Sequence, residues 1–240
     1  MGSLSNRLTD AIPDYISQSS EYYQQLKRKN NQLAKKLLGP AKNYIKKGRT
    51  PRQKFERACS LASASNVAPM NVPSEAFAFQ EVKRILRGEK PFPTMMGPLF
   101  QKVQKASHIL YITDNAGEIG FDSLLIECLK EMGSKINLIV KQGPFFEDAT
   151  REDALFFHVD QWVDHIFTLN GFFVPREIPP ALMDFYKKSD LIISKGTGNY
   201  EALKGEAEGK TTIYMLKVKC KPIAKEIGAD IGSFLVKLEK

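Results

Sequence analysis

Polar side chains that can bind a hard cation follow an apolar run near the middle of the chain. Asp114 and Asn115 come directly after residues 108–113, HILYIT, and Glu118 follows them past a glycine. Asp148 lies in a second acidic segment further along the chain. Carboxylate and amide oxygens, without histidine or thiolate, are typical ligands of Mg²⁺ or Mn²⁺. The residue types therefore predict a divalent-metal site.

Two other segments could bind a phosphate group. Residues 194–201, SKGTGNYE, contain Lys195 and Gly196, and Lys217 lies in a later run, LKVK. A glycine-rich turn at a helix start offers backbone N–H groups to an anion, and a preceding lysine adds a positive charge. A metal site that faces such a turn would support phosphoryl transfer or phosphate hydrolysis.

Each of these residues also has a structural interpretation. Asp148 could cap the helix that follows it, because aspartate is a favoured N-cap residue. Asp153 falls in the first turn of the same helix, where an acidic side chain favours the helix dipole. Lys195 and Gly196 could form an ordinary strand-to-helix turn. Asp114 and Asn115 are harder to explain in this way, since two polar residues end a buried strand.

The elements that must position these residues alternate between strand and helix from residue 108 onward. Such alternation predicts a parallel sheet with helices on both faces, in which ligands bind beyond the carboxyl ends of the strands. We expect a Rossmann-like three-layer α/β/α fold. The predicted strands are 108–113, 135–141, 162–169, 191–194 and 211–216, and the predicted helices lie near 120–132, 149–158, 179–188, 199–204 and 221–227.

The N-terminal part of the chain is predicted to be helical. Apolar spacing favours a long helix over residues 22–47, with a break or kink at Gly39–Pro40. Thr50 and Pro51 are typical of a helix start. A further helix is expected to begin at residues 73–74, and residues 89–98, rich in proline, are predicted to be a linker. The sequence thus predicts a helical cap over residues 1–98 and an α/β metal- and phosphate-binding domain over residues 99–240.

Composition and charge distribution narrow the classes of ligand and cellular location that we expect for the chain. The chain has 240 residues and a net charge of +8. Residues 1–107 carry 19 Lys and Arg against 7 Asp and Glu, and residues 108–240 carry 16 against 20. A basic half favours a solvated face or the steering of anionic substrates. No membrane segment or signal peptide is expected, and three scattered cysteines favour a reducing cytoplasm. The sequence does not indicate an oligomeric state.

Four segments, taken in order, resemble the motifs of one family. ITDNAGEIGFD, GPFFEDATREDA, SKGTGNYEAL and LKVKCKPIAKEIG are similar to those of the metal-dependent damage-control phosphatases. That family was long known as a domain of unknown function and also includes a proposed protein carboxyl methyltransferase. The resemblance covers residues 108–233 closely and the helical N-terminus more loosely.

The resemblance implies a role for particular residues. The implied metal ligands are Asp114, Asn115 and Asp148. The implied phosphate- and substrate-binding residues are Lys195, Gly196, Asn199 and Lys217, joined by Asn66 from the end of a helix. Glu118 and Asp153 lie inside the motifs and are further candidates for catalysis, together with Asp114. The implied cofactor is a divalent metal ion, which could be Mn²⁺, Mg²⁺, Co²⁺ or Ni²⁺.

The N-terminus departs from the family pattern. Many members begin with Cys-x-x-Cys followed by a glutamine, whereas Ala11 and Asp14 stand in the two cysteine positions here. Any function of that cysteine pair is therefore not expected in this chain. The predicted central site does not depend on it.

Hydrolysis of a small phosphomonoester, such as a sugar phosphate or a damaged phosphometabolite, is the function we predict. The attacking group could be a metal-bound water oriented by Glu118 or Asp153, or Asp114 itself through an aspartyl-phosphate. One alternative is an S-adenosylmethionine-dependent carboxyl methyltransferase, although the turn after residue 113 lacks a full glycine-rich fingerprint. The other is a nucleic-acid-binding protein that uses basic helices, which sparse aromatic residues and the lack of a recognition motif disfavour.

Overall fold

The chain forms a mostly parallel β-sheet between two layers of helices, which confirms the predicted α/β fold. The computed structural model describes residues 2–11, 13–66, 79–89, 94–96, 98–207 and 209–240. The helices are α1 Gly2–Ala11, α2 Pro13–Lys46, α3 Pro51–Ala64, α4 Gln80–Leu86, α5 Leu99–Lys105, α6 Glu118–Glu131, α7 Arg151–Phe156, α8 Pro180–Lys188, α9 Thr197–Leu203 and α10 Lys221–Ile227. The strands are β1 Thr94–Met96, β2 His108–Ile112, β3 Lys135–Lys141, β4 His165–Leu169, β5 Leu191–Lys195, β6 Thr212–Lys217 and β7 Phe234–Glu239.

The strands lie in the order β1-β7-β6-β5-β2-β3-β4. The five strands from β6 to β4 run parallel to one another. β7 pairs antiparallel with β6, and β1 pairs parallel with β7 at the edge of the sheet. The chain builds β2, β3 and β4 outward in one direction and then returns to place β5 on the other side of β2. This reversal is the topological switch point of a doubly wound fold.

Strand β2 shows why its sequence is apolar at successive positions. Ile109 and Tyr111 are buried in the cluster on one face of the sheet, and Leu110 and Ile112 are buried in the cluster on the other. Alternate side chains of a strand point to opposite faces, so a strand covered on both faces needs apolar residues throughout. The run predicted from the sequence is therefore a central strand.

Helices from the two halves of the chain cover different faces. Buried residues of α2, α3 and α6 pack on one face of the sheet, whereas those of α8, α9 and α10 pack on the other. The predicted start of α3 is confirmed, since Thr50 accepts a hydrogen bond from the N–H of Gln53 at 3.2 Å and Pro51 opens the helix. Because the N-terminal helices share a core with the sheet, they lie directly against the elements that carry the acidic residues.

Three features of the chain differ from the sequence prediction. Helix α2 continues through Gly39 and Pro40 without a break; Ala41 and Ile45 beyond the proline are buried, and their packing offsets the lost hydrogen bond. The predicted linker contains β1, an edge strand, where flanking prolines are tolerated. Strand β7 was not predicted. The expected helix start at residues 73–74 lies outside the described residues.

The proposed division at residue 98 stays a prediction. One hydrophobic cluster contains Phe55 and Leu61 of α3 together with Ile109 and Tyr111 of β2, so the two segments share buried surface. Among the helices that the structure describes, none is long and apolar enough to cross a membrane.

Candidate active site

The predicted site residues lie where β2 and β5 diverge. Asp114 and Asn115 follow β2, and Gly196 follows β5, its neighbour in the sheet. Both strands are parallel, so their carboxyl ends open on the same edge. A crevice at this switch point is the usual ligand site of an open α/β sheet.

Asp114 and Gly196 contact each other across this crevice. A Cβ atom added to Gly196 would overlap the Asp114 carboxylate, and Gly196 has a φ of +85°. Only glycine adopts this conformation without strain and also leaves room for the carboxylate. The N–H of Gly196 donates to the carbonyl of Met215 at 2.9 Å. The absence of a side chain at Gly196 therefore leaves room for the Asp114 carboxylate. The N–H of Gly196 is hydrogen-bonded within the sheet.

Asn66 at the end of α3 joins three parts of the site. Its Nδ2 donates to Oδ2 of Asp114 at 2.6 Å and to Oε2 of Glu118 at 3.0 Å. Its Oδ1 accepts the backbone N–H of Lys217 at 3.1 Å. Asn66 is fully buried. The structure thus brings this residue of the helical half into direct contact with the acidic loop, as the sequence comparison with the family implied.

Glu118 begins α6 and is completely buried. Its Oε1 accepts a hydrogen bond from Nδ2 of Asn115 at 2.8 Å. Burial and the nearby Asp114 carboxylate raise the pKa of Glu118 to about 8, against the opposing effect of Lys195 and the amide donors of Asn66 and Asn115. The hydrogen bond to Glu118 fixes the amide orientation of Asn115, so the oxygen of that amide faces away from the glutamate.

The second acidic segment is joined to the first by backbone hydrogen bonds. The N–H of Ala149 donates to the carbonyl of Asp114 at 2.7 Å, and the N–H of Ala116 donates to the carbonyl of Glu147 at 2.8 Å. Asn115 and Asp148 also form an isolated β-bridge. The three residues predicted to bind the metal, Asp114, Asn115 and Asp148, are therefore brought together by main-chain geometry.

Asp148 is buried beside Lys141. Its Oδ2 lies 3.3 Å from Nζ of Lys141. Burial raises the pKa of Asp148 to about 7; Lys141 counteracts this rise, and the Asp114 carboxylate adds to it. Lys141 also donates to the carbonyl of Gly171 at 2.6 Å. This buried lysine ends β3 next to the acidic loop, and the sequence analysis did not single it out.

Lys195 lies beneath the crevice rather than at its surface. Its Nζ is fully buried, 2.7 Å from Oδ1 of Asp122 and 3.6 Å from Oε2 of Glu118. The hydroxyl of Tyr111 donates to the same oxygen of Asp122 at 2.9 Å. Burial would lower the pKa of Lys195, but the Asp122 and Glu118 carboxylates outweigh it and raise the pKa.

The sequence analysis did not identify Asp122 as a site residue, although its spacing from Glu118 could have indicated it. It lies four residues after Glu118 in α6, so both carboxylates project from one face of the helix. A buried aspartate one turn into an otherwise apolar helix needs a cationic partner. The sequence pattern could have indicated that Asp122 is a buried carboxylate. That its partner is Lys195 depended on the position of β5 in the sheet.

The remaining phosphate-binding candidates have structural contacts. Asn199 donates from Nδ2 to the carbonyls of Thr113 and Lys195, each at 2.8 Å, and so links the ends of β2 and β5. Nζ of Lys217 lies over the Phe234 ring, 5.2 Å from its centroid. Both residues lie at the carboxyl edge of the sheet, and their binding roles stay predictions.

Asp153 has its own set of partners. It accepts hydrogen bonds from the N–H and hydroxyl of Thr150, both at 2.8 Å, in a capping box at the start of α7. Asn31 donates to it at 2.7 Å and Lys27 forms an ion pair at 2.8 Å. Asp153 thus connects α2 to the end of the acidic loop, and its catalytic role stays a prediction.

The charges of the site are unbalanced. Four carboxylates, those of Asp114, Glu118, Asp122 and Asp148, face the two ammonium groups of Lys141 and Lys195. If all are ionised, two negative charges remain without compensation, which a divalent cation would neutralise. Among the described residues, no group of three His, Cys, Asp or Glu side chains is arranged for a metal ion.

The predicted donor set instead combines two carboxylates with one amide. Its all-oxygen character fits a hard divalent ion. The hydrogen bond between Asn115 and Glu118 leaves the amide oxygen of Asn115 directed away from the glutamate. The residues present therefore fit a metal ion of the predicted kind.

Comparison with known proteins shows the family to which the chain belongs. Residues 4–235 match the family described as "Damage-control phosphatase ARMT1-like domain". The chain is 29% identical over 221 residues to a protein of Archaeoglobus fulgidus named damage-control phosphatase, with 90% of this chain and 75% of the relative covered. It is 32% identical over 213 residues to the Pyrococcus horikoshii protein named damage-control phosphatase PH1575, covering 87% and 71%. A crystal structure of a DUF89 family protein, PH1575 from Pyrococcus horikoshii, superposes with a TM-score of 0.73 at 28% identity, covering 91% of this chain and 75% of that one.

Proposed function

The chain belongs to the ARMT1-like damage-control phosphatase family and is a phosphatase, and we propose that it hydrolyses small phosphomonoesters with the help of a divalent metal ion. The proposed ligands are Asp114, Asn115 and Asp148. The proposed substrates are sugar phosphates or damaged phosphometabolites. The similarity to proteins named as phosphatases favours this function over the methyltransferase and nucleic-acid-binding alternatives.

One observation carries the proposal of metal dependence. Two acidic loops are joined by main-chain hydrogen bonds from Ala149 to Asp114 and from Ala116 to Glu147. This pairing places the carboxylates of Asp114 and Asp148 and the amide of Asn115 together at the switch point. With Glu118 and Asp122 ionised as well, the four carboxylates exceed the charge of Lys141 and Lys195 by two. Structural carboxylates are rarely buried with such an excess of like charge. Binding of a cation would remove the repulsion.

The residues around the proposed metal have distinct roles. A bound divalent ion would supply Lewis-acid chemistry and lower the pKa of a coordinated water. Glu118 and Asn66 position Asn115 and Asp114 by hydrogen bonds, as residues behind metal ligands commonly do. Lys195 provides buried positive charge below the crevice. The proposed nucleophile is either water or Asp114. Asp153 connects the acidic loop to α2 through its contacts with Asn31 and Lys27.

A reducing compartment such as the cytoplasm is proposed for the protein. Cys59 and Cys128 are buried free thiols, and Cys220 is partly exposed and also free. Free thiols are stable where cellular reductants keep them reduced.

Hydrolysis of p-nitrophenyl phosphate by chelator-treated protein tests the proposal. We expect turnover only when Mg²⁺, Mn²⁺, Co²⁺ or Ni²⁺ is added back, and we expect it to be lost in Asp114→Ala and Asp148→Ala. Asp160→Ala, which removes an exposed carboxylate, serves as the control and should keep full activity. Circular dichroism would show that the variants are folded. Metal-restored turnover in Asp148→Ala would refute the assignment of this ligand.

A further inference from the structure

Phe146 has an unusual conformation next to the acidic loop. Its φ is +50°, a region that bulky side chains rarely adopt, and its side chain is 42% exposed. Such a backbone conformation is strained, and strained residues cluster at active sites and ligand-binding sites. Phe146 precedes Asp148, a proposed metal ligand, by two residues. An exposed aromatic ring is thus held in a strained conformation at the site.

The surrounding loop imposes this conformation on Phe146. The N–H of Asp148 donates to the carbonyl of Phe145 at 3.0 Å, and the carbonyl of Glu147 is bound by Ala116 at 2.8 Å. Both hydrogen bonds flank Phe146 in the chain. The loop therefore cannot turn Phe146 inward without losing the contacts that bring Asp148 to Asp114.

Phe145, the preceding residue, has a different role. Its ring is buried, and Nζ of Lys141 lies 4.6 Å from its centroid and 4.6 Å from that of Phe172. The Phe145 and Phe172 rings also contact each other edge to face at 5.4 Å. These two rings hold the lysine that pairs with Asp148. The ring of Phe146 contacts that of Phe145 edge to face at 5.4 Å and is still 42% exposed, so part of it stays accessible at the surface of this loop.

Helix α2 extends the exposed aromatic surface. The Tyr23 ring lies 5.5 Å from that of Phe146, at 90°. The Tyr22 ring lies 5.3 Å from that of Tyr23 and is 65% exposed. We name Tyr22, Tyr23 and Phe146 the aromatic rim. It joins the helical half of the chain to the loop that carries Asp148.

Packing of α2 against the loop does not by itself explain the aromatic rim. A residue that only anchored the helix would gain most from full burial, as Phe145 does. The strained backbone and the large exposure of Phe146 both lower stability relative to such an arrangement. A ligand that covered the ring would recover part of this free energy. Phe146 lies in the same loop as Asp148, so the group esterified to a phosphate bound at this loop is the ligand considered for the ring.

We infer that the aromatic rim is a specificity site that binds a planar, weakly polar leaving group of the phosphomonoester. This inference rests on the proposed function, because the phosphate must lie at the acidic loops for its ester group to reach Phe146. Aromatic rings attract flat apolar groups, and a pair of rings contributes binding free energy beyond that of the buried area. Of the two proposed substrate classes, the surface favours damaged phosphometabolites with a ring-bearing alcohol over sugar phosphates, and benzyl phosphate is the simplest ester with such a ring.

Matched esters test the inference. Benzyl phosphate and ethyl phosphate carry the same phosphate and differ in the ring. We expect Phe146→Ala to lower the ratio of kcat/KM for benzyl phosphate to that for ethyl phosphate by about 5- to 10-fold, since about 1.4 kcal/mol corresponds to tenfold. Leu155→Ala removes a comparably exposed apolar side chain, 44% exposed, and should leave the ratio of the two values unchanged.

Phe146→Leu guards against a disturbed loop, because it keeps an apolar side chain without the ring. We expect it to lower the ratio of kcat/KM for benzyl phosphate to that for ethyl phosphate nearly as much as Phe146→Ala does. Calorimetry should show the same difference between benzylphosphonate and ethylphosphonate, which are not hydrolysed. If each variant lowers kcat/KM for the two esters by the same factor, or changes neither value, the inference is wrong. The proposed phosphatase activity would not be affected by that result. Failure of the wild type to hydrolyse either ester or p-nitrophenyl phosphate would instead overturn the proposed function on which the inference rests.

Discussion

The carboxylate of Asp114 lies directly against the backbone of Gly196, so the ends of β2 and β5 meet without an intervening side chain. The contact forms because the two strands are neighbours in the sheet but distant in the sequence. It leaves the carboxylate at the switch point, supported from the other side by Asn66 at 2.6 Å. Any side chain at position 196 would have to displace Asp114.

The first prediction concerns this contact. Gly196→Ala should reduce phosphatase activity at least tenfold and lower the free energy of unfolding by about 1–3 kcal/mol, because a φ of +85° with a ψ of 160° is nearly restricted to glycine. Gly228→Ala is the control: its φ is +73°, but an added Cβ would meet nothing within 4 Å. The control should lose similar stability and keep its activity. Equal activity in the two variants would show that the contact with Asp114 does not matter.

Removal of the Asn66 amide should weaken catalysis. Asn66→Ala leaves Asp114 and Glu118 without a shared donor, and we expect about 10- to 100-fold lower activity or metal affinity, as for other residues behind metal ligands. Steady-state kinetics and metal titration measure both effects. Ser65→Ala removes only a local hydrogen bond to Ala62 and should be nearly silent. Unchanged kinetics in Asn66→Ala would contradict the bridging role.

The buried ion pair of Asp122 and Lys195 should be strongly coupled. Either Asp122→Asn or Lys195→Met should lower the free energy of unfolding by about 3–5 kcal/mol, because a buried charge is left without its partner. The double variant should be destabilised by clearly less than the sum. Urea denaturation of the four proteins gives the coupling energy. The exposed Arg52–Glu56 pair provides a control cycle, which should yield less than about 0.5 kcal/mol.

Repulsion among the site carboxylates should lower the stability of the metal-free protein. The Asp114 carboxylate raises the pKa values of Glu118, Asp122 and Asp148, although burial raises each of them more. Asp114→Asn should therefore have a higher Tm than the wild type in the presence of chelator. Addition of metal should not raise the Tm of the variant further. Asp160→Asn should leave both measurements as in the wild type. A lower Tm for metal-free Asp114→Asn would contradict the excess of negative charge.

Asp164 should make stability depend on pH in the acid range. Partial burial would raise the pKa of Asp164, but hydrogen bonds from Lys130 at 2.8 Å and from the N–H of Ile136 at 2.7 Å hold it below its ordinary value of 3.8. A lowered pKa stabilises the fold above the pKa of the unfolded chain, and this contribution disappears as the pH falls through the folded pKa. Asp164→Asn should thus be less stable at pH 7 by less than about 1 kcal/mol because solvent screens the pair. The difference should begin to shrink below pH about 4 and disappear as the pH falls through the lowered pKa of the folded state. A constant difference down to pH 2.5 would contradict the assignment.

Local patterns account for the parts of the fold that the sequence predicted. The apolar run of β2 and the Thr50–Pro51 helix start were recognised because their signals lie within a few residues. The loop residues Asp114 and Asn115 were found because polar side chains that end a buried strand have few structural explanations. β7 and β1 were missed, since an edge pair depends on the partner that each strand finds.

The sequence by itself determined the strand–helix alternation, the acidic residues that follow β2 and the loop that carries Asp148. Only the tertiary structure decided that Lys195 pairs with Asp122, that Asn66 bridges Asp114 and Glu118, and that Phe146 faces outward beside Tyr23. Periodicity and turn chemistry act over a few residues and can be read from one segment. Contacts between segments depend on strand order, and the crossover that places β5 beside β2 brings distant residues into one crevice.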